Sequence, residues 1–427
     1  MSIQQYQTTK QGGPFALVTA PVPKPGAKEV TIRPRAVALN GIDWKNFKFG
    51  ATIRSWPAVL GIDGAGVVES VGEGVTAFKP GDEVLSYARG IQGSGAFQDI
   101  YTVSENVVAK KPAALSFEEA ASLPICFLTA GAAITVGLKV ALPGLPKGGN
   151  SSSNPPQSIL VLGGSSAVGA AAIQLLRMAL PSAVIVATSS EAHHAHLRSL
   201  GATTCLERAV QQDSAALKAA TLGGAGFDAV LDAVGAGAEA PAVYDAFRAD
   251  GPKLYSLVMT RPDAKVPDGL QATVVGGQDM LDVEPNAMAY LVKLVEEGKY
   301  KLPVKIEVVG KGFQAVEKGL ERFPFGAMKK RMILDIFWLV DATNGVPEEE
   351  ALALISILRA GFDDVLKKQT QPNMKGWLLF SPGDENLRCV STEEGLFMHS
   401  RELRRYAQSS AQAAYMSKPL DSSISMS

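Results

Sequence analysis

Gly163-Gly164-Ser165-Ser166-Ala167-Val168-Gly169 is a run of small residues with an evident chemical use. It sits between SILVLGG (158–164), an apolar run of strand length, and a segment, 165–180, with helical spacing. Backbone this bare can approach a pyrophosphate, which the free N–H groups and the positive end of the following helix then hold. The usual fingerprint wants glycine at 166, where this chain has serine. The competing reading is a turn kept small only so that helix and strand can pack.

The next apolar run, SAVIVAT (182–188), decides which dinucleotide fits. An acidic residue at its end would take the ribose hydroxyls of NAD, and its absence leaves room for the 2′-phosphate of NADP. The run ends Thr188-Ser189-Ser190, with no carboxylate before Glu191, and Arg198 and Arg208 lie near in sequence. NADP(H) is therefore the expected cofactor, held by Gly163 to Gly169, Ser189 and Ser190. His193, His194 and His196 form an HHAH cluster just beyond, read as a solvated helix start or a phosphate neighbour rather than a metal site.

These residues need a scaffold of alternating elements. The first 120 residues carry short β-branched runs, EVTIRPRAVAL (29–39), AGVVESVG (65–72) and DEVLSYA (82–88), separated by Gly and Pro. The Pro/Gly/Ser-rich stretch 142–157 reads as a surface loop. Apolar strands then alternate with helices: 158–164, 182–188, FDAVLDAV (227–234) and KLYSLVM (253–259), with one helix closed by Gly201. Strands apolar throughout imply a parallel sheet covered on both faces. Near 275 the alternation stops. A helix over 283–298 leads to a last β segment at MILDI (332–336). From Phe337 the composition shifts to a tail with a helix at 347–369 and a Ser-rich, disordered end.

With 427 residues the chain should form at least two domains. Hydrophobic residues make up 46% and charged ones 19%, and 41 basic residues against 42 acidic leave a charge of -1. Such neutrality offers nothing to nucleic acid or an anionic membrane. No run is expected to approach the twenty apolar residues of a membrane span, and the polar start MSIQQYQTTKQGG lacks a signal-peptide core, so a cytoplasmic location is expected. Three cysteines exclude a disulfide framework and a four-cysteine zinc site.

Four segments in order carry a resemblance: Asn40-Gly41-Ile42-Asp43-Trp44-Lys45, GIDGAGVVESVGEGVTAFKPGDEV (61–84), EEAASLPICFLTAG (118–131), and the small-residue turn with FDAVLDAVG (227–235). Over about residues 10–336 the chain resembles the medium-chain dehydrogenase/reductases, in the zinc-free quinone oxidoreductase and enoyl reductase branch that includes fungal stand-alone enoyl reductases of polyketide pathways. The resemblance implies an α/β fold: a GroES-like β-rich catalytic domain, 1–122 and 275–336, with a Rossmann doubly wound parallel sheet domain, 123–274, inserted. The tail, 337–427, has no counterpart.

Zinc-dependent members need Cys and a His-Glu pair where this chain has Asn40 and Ile62-Asp63, so no catalytic zinc is expected. The resemblance places Ile42, Asp43, Lys45, Thr129, Leu257 and Val258 around the nicotinamide. Lys45 and Thr129 are the catalytic candidates. The alternatives are a solvated lysine after a turn and a threonine that caps a helix. Asp43 anchors its own loop, and Cys126 reads as core packing. Relatives stack an aromatic on adenine near 208; here Arg208 could stack and pair with the 2′-phosphate, or simply lie on the surface.

What this implies is NADPH-dependent hydride delivery to an activated C=C bond of an enoyl thioester or enone, with a polyketide synthase as partner. The alternatives are a quinone or aldehyde reductase on the same scaffold, and a non-catalytic NADPH-binding module.

Overall fold

The computed structural model describes residues 2–88, 95–145, 154–258, 266–267 and 270–321, with the strands Gly376–Leu379 and Arg388–Ser391. The chain divides into two units, Met1–Asp335 and Ile336–Ser427.

The first unit begins with β1 (Ser2–Thr8), β2 (Phe15–Pro21) and β3 (Glu29–Ala38), then α1 (Gly41–Phe49), β4 (Ala58–Val59), β5 (Asp63–Val71), β6 (Glu83–Tyr87), β7 (Tyr101–Ser104) and β8 (Val108–Lys110). Two sheets result, ordered β2-β1-β4 and β7-β3-β5-β6-β8, with antiparallel neighbours. The register of β3 on β5 slips between Pro34 and Ala36, where proline cannot donate to the ladder.

Next come α2 (Phe117–Ala121) and α3 (Pro124–Ala132), and α3 runs on into a π turn, Ala133–Gly137. Together Phe117–Gly137 is 21 residues of mean hydropathy 1.7, long and apolar enough for a bilayer, and 83% of its apolar window is buried inside the protein. The expectation of no such run is corrected here. A helix enclosed by protein on all sides is apolar all round for the same reason as a membrane helix. At its far end, a Cβ on Gly137 would lie 2.0 Å from Ser256 Oγ.

The parallel sheet holds β9 (Ser158–Leu162), β10 (Val184–Ser189), β11 (Thr204–Glu207), β12 (Ala229–Asp232), β13 (Leu254–Val258) and β14 (Gln271–Val275), in the order β11-β10-β9-β12-β13-β14. This is the doubly wound order whose direction reverses between β9 and β12. Helices α4 (Ala167–Ala179), α5 (His194–Leu200), α6 (Ser214–Ala219) and α7 (Ala242–Asp245) join the strands. Gly201 closes α5 in the left-handed conformation, as expected. Strand β14, only partly buried at the sheet edge, went unread in the sequence.

The helix expected over 283–298 starts later, at Ala287, and a separate helix that was not expected precedes it. Helix α8 (Gly277–Val283) ends before α9 (Ala287–Glu296), because Pro285 pulls Glu284 out of helical geometry to φ -138° and ψ 89°. The chain then returns to its beginning. Gln174 of α4 holds both backbone groups of Lys301, at 2.9 and 3.1 Å. Phe313 stacks on Tyr6 at 5.8 Å, and Tyr6 Oη donates to Glu317 of α10 (Gln314–Glu321) at 3.2 Å.

In the second unit the described strands pair antiparallel, Gly376 opposite Ser391. No strand was expected there. The expected helix at 347–369, the segment MILDI and the Ser-rich end lie outside the described residues.

Candidate functional site

Parallel strands deliver their ends to one edge, and that edge carries the sequence-predicted cofactor residues. Gly163 turns the chain after β9 at φ 70°, a left-handed conformation that favours glycine. Gly164 N donates to Thr188 O at 2.9 Å, tying the turn to β10. A Cβ on Gly169 would stand 2.3 Å from Gly163 O, so helix and turn touch only because that position is bare. Ser166, where the fingerprint would have glycine, caps α4: its Oγ accepts from Gly169 N at 3.0 Å and donates to Gly163 O at 2.8 Å. Ala167 and Val168 open α4, so their N–H groups have no intrahelical acceptor. Ser165 is buried beside them. The bare turn and the open helix start fit a pyrophosphate.

At the end of β10 the two serines separate. Ser189 is fully buried and its hydroxyl donates to Ser190 O at 3.1 Å. Ser190 Oγ is enclosed without a hydrogen-bond partner. Ser189 pairs in register with Glu207, which sets the half-buried Arg208 directly beyond β11, alongside Ser190. Glu191 is exposed at the start of a short turn that also holds His193. His194 and His196 face backbone carbonyls, Ser189 O at 3.4 Å and Pro303 O at 2.8 Å. Leu257 and Val258 end β13, buried, opposite Val274 and Val275 of β14.

The remaining candidates lie on the loop into α1 and on α3. Asp43 folds back on it: one carboxylate oxygen accepts from Asn40 N at 3.0 Å, the other from Gly61 N at 3.1 Å. Asp63, the first residue of β5, accepts from Asn40 Nδ2 at 3.1 Å and from Ile125 N, in the first turn of α3, at 3.1 Å. Both carboxylates are buried, at 1% and 0% exposure. Burial pushes the Asp43 carboxyl up to about 7 against three backbone donors that pull it down. Asp63 is raised by burial and then by the charge of Asp43, while Ile125 N–H and Asn40 oppose the rise. Lys45 stands half-buried on α1, and burial lowers its ammonium to about 8. Ile42 is half-buried beside it. Thr129, one turn along α3 from Ile125, is buried, with its Oγ1 3.4 Å from where a Cβ on Gly277 would stand.

From the sequence, Asn40 and Asp63 counted only as positions lacking metal ligands. Their partnership went unread, although an Asp opening a buried strand in GIDGAG required a partner. The donor set does not fit zinc. Asn40 spends its amide on Asp63 and on Ala38 O, at 3.3 Å, and Ile62 is apolar. Cys126 donates to Leu123 O and Ser122 O, and burial pushes its thiol up to about 12, as suits core packing rather than a nucleophile.

Residues 26–113 match the family described as alcohol dehydrogenase GroES-like domain, and residues 167–255 the one described as zinc-binding dehydrogenase. Dehydrogenase orf1 of Aspergillus niger (strain ATCC MYA-4892 / CBS 513.88 / FGSC A1513) is 31% identical over 333 residues, covering 74% of this chain and 94% of that protein. Trans-enoyl reductase himH of Aspergillus japonicus is 30% identical over 335 residues, covering 72% and 90%. The quinone oxidoreductase from Coxiella burnetii, 25% identical, matches with a TM-score of 0.57 over 75% of this chain and 95% of that one. CurK enoyl reductase, at 22% identity, shares the fold, with a TM-score of 0.60 over 75% and 96%. A catalytic-domain match and a nucleotide-domain match in that order, and relatives near a third identical along almost their whole length, make the chain a member of the medium-chain dehydrogenase/reductase family, an NAD(P)-dependent oxidoreductase of its enoyl reductase and quinone oxidoreductase branch.

Proposed function

We propose that the chain reduces activated carbon–carbon double bonds with NADPH, takes an enoyl thioester as acceptor and uses no zinc. The observation that carries this reading is Lys45, a half-buried ammonium lowered to about 8, on the helix whose leading residue Asn40 stands where zinc-dependent relatives carry a ligand. When bound, NADPH supplies the hydride that reaches the β-carbon of the acceptor. Lys45 donates a hydrogen bond to the thioester oxygen, where negative charge grows as the double bond opens. Thr129, Ile42 and the strand end Leu257–Val258 line the nicotinamide side, and Asp43 holds the loop that presents Lys45.

On the adenosine side, the N–H groups of Ala167 and Val168 take the pyrophosphate. Ser190 and Arg208 take the 2′-phosphate, with His193 next to them; Ser189 contributes through its backbone, its hydroxyl being committed to Ser190 O. A charge-assisted contact of this kind contributes about 1.5–3 kcal/mol, which supports at least a tenfold preference for NADPH. Relatives named trans-enoyl reductases support an acyl chain presented as a thioester by a separate synthase.

NADPH consumption measured with a crotonyl thioester, with a quinone and with neither tests the reading. Turnover of the thioester with NADPH supports it. Turnover of the quinone alone replaces the acceptor class. Tight NADPH binding without turnover of either overturns catalysis and leaves a binding module. Chelation followed by elemental analysis should leave activity intact, with less than about one zinc per ten chains.

A further inference from the structure

Asp63 lies on neither of the elements that carry the catalytic candidates, yet it touches both. Through Oδ2 it accepts from Asn40, the residue that caps α1 and so sets where Lys45 emerges. Through Oδ1 it accepts from Ile125 N, a backbone donor in the first turn of α3 that has no acceptor within its own helix. Pro124 precedes it and has no N–H to offer, so Asp63 satisfies a group that α3 cannot satisfy alone. The carboxylate also complements the positive end of that helix.

Helix α3 is itself anchored at the other end. Its π-turn continuation brings Gly137 against Ser256, next to Leu257 and Val258. One rod thus runs from Asp63 to the strand end on the nicotinamide side, with Thr129 along it.

We propose that Asp63 is the positioning residue of this site: with one oxygen on Asn40 and the other on the start of α3, it fixes where Lys45 stands relative to Thr129. The proposal rests on the reading of Lys45 given above. Asp63 touches neither substrate nor cofactor in this role. Its hydrogen bonds are ordered, since both partners are donors and only an acceptor fits between them. Asp63→Asn therefore turns one contact into a donor facing a donor. Asn40→Asp turns the same contact into an acceptor facing an acceptor. The double variant Asn40→Asp/Asp63→Asn restores one donor and one acceptor between 40 and 63 and keeps an oxygen for Ile125 N, giving up only the longer contact of residue 40 with Ala38 O.

The experiment compares the full chain with the two single variants and the double. Turnover is expressed per NADPH-binding site, so that unfolded protein is not counted. Each single variant is expected to lose at least about tenfold in kcat, with the dissociation constant of NADPH changed less than threefold, and the double to recover to within about threefold. Singles that keep their kcat per site while the melting temperature falls would make Asp63 a purely structural group and overturn the proposal. Failure of the double to recover would overturn it as well.

A second measurement stands apart from turnover: the pH dependence of Lys45 acylation by an amine reagent, followed by peptide mass spectrometry. The wild-type inflection near about 8 should move toward that of an ordinary lysine in each single variant and return in the double. If the wild type reduces no enoyl thioester, this measurement still decides the positioning role: a common inflection in all four proteins overturns it, whereas displaced singles and a restored double uphold it and place the failure in the acceptor assignment.

Discussion

In the turn after β9 nothing ionisable takes part: a left-handed glycine, a bare Gly169 against a carbonyl and the Ser166 hydroxyl hold residues 163–169 in place. In the loop of residues 40–45 two buried carboxylates do the holding, one through local backbone and one through a helix 62 residues further along. The first arrangement is sensitive to volume and indifferent to charge. The second is the reverse: an amide of the same size would set a donor against a donor there, and burial, not a neighbouring charge, lowers the lysine it presents.

The largest effect should follow from breaking the first arrangement by volume. Gly169→Ala puts a methyl 2.3 Å from Gly163 O, so the helix must withdraw from the turn. We expect NADPH affinity to fall by more than about 100-fold in titration, with kcat at saturating cofactor nearly kept. A change below threefold would mean that the turn tolerates volume after all.

Lys45→Ala should lower kcat/KM by about ten- to a thousandfold without loosening NADPH, as fits removal of one charged donor beside a developing oxyanion. A loss mainly in cofactor affinity would recast Lys45 as a ribose ligand, and a loss below threefold in a folded protein would leave it in solvent. The same group should separate the two loops by pH. Lys45 is a charged donor only when protonated, and burial lowers it to about 8, so kcat/KM should fall roughly tenfold per unit above pH 8. Lys45→Arg should abolish that limb, and NADPH affinity should stay flat across it.

Arg208→Ala should reduce NADPH affinity about tenfold and leave NADH affinity unchanged, read as the ratio of the two dissociation constants. Equal losses for both cofactors would point to stacking rather than phosphate pairing. Smallest of all, Tyr6→Phe removes one hydrogen bond to Glu317 and should lower stability by about 1 kcal/mol, roughly 2–4 °C in melting temperature, with kinetics untouched.

The same contrast governs how much could be read without a structure. The turn 163–169 and strands β9, β10, β12 and β13 were legible because small-residue punctuation and apolar runs are local signals. The division of labour between Ser189 and Ser190 was not, although alternation along β10 turns one inward and leaves the other at the end of the strand. The break between α8 and α9 was readable from Pro285, which bars the residue before it from helical geometry. The bridge from Asn40 through Asp63 to Ile125 was beyond any local signal: it joins a loop, a strand and a helix that only the tertiary fold brings together. The pair Gly376–Leu379 and Arg388–Ser391 formed in a segment read as partly helical, since short strands carry too few residues to establish a period.

The contact of Tyr6 with Glu317 spans 311 positions, whereas β9 meets β10, and β10 meets β11, across about two dozen or fewer. During synthesis the nucleotide half therefore has its partners at hand as soon as it emerges, and its sheet can assemble by short steps. The side chain of Tyr6 must wait for its partners until residues 313–321 leave the ribosome. The two halves of one enzyme thus become complete in the reverse of their order along the chain, and Tyr6 is among the last residues to find its place.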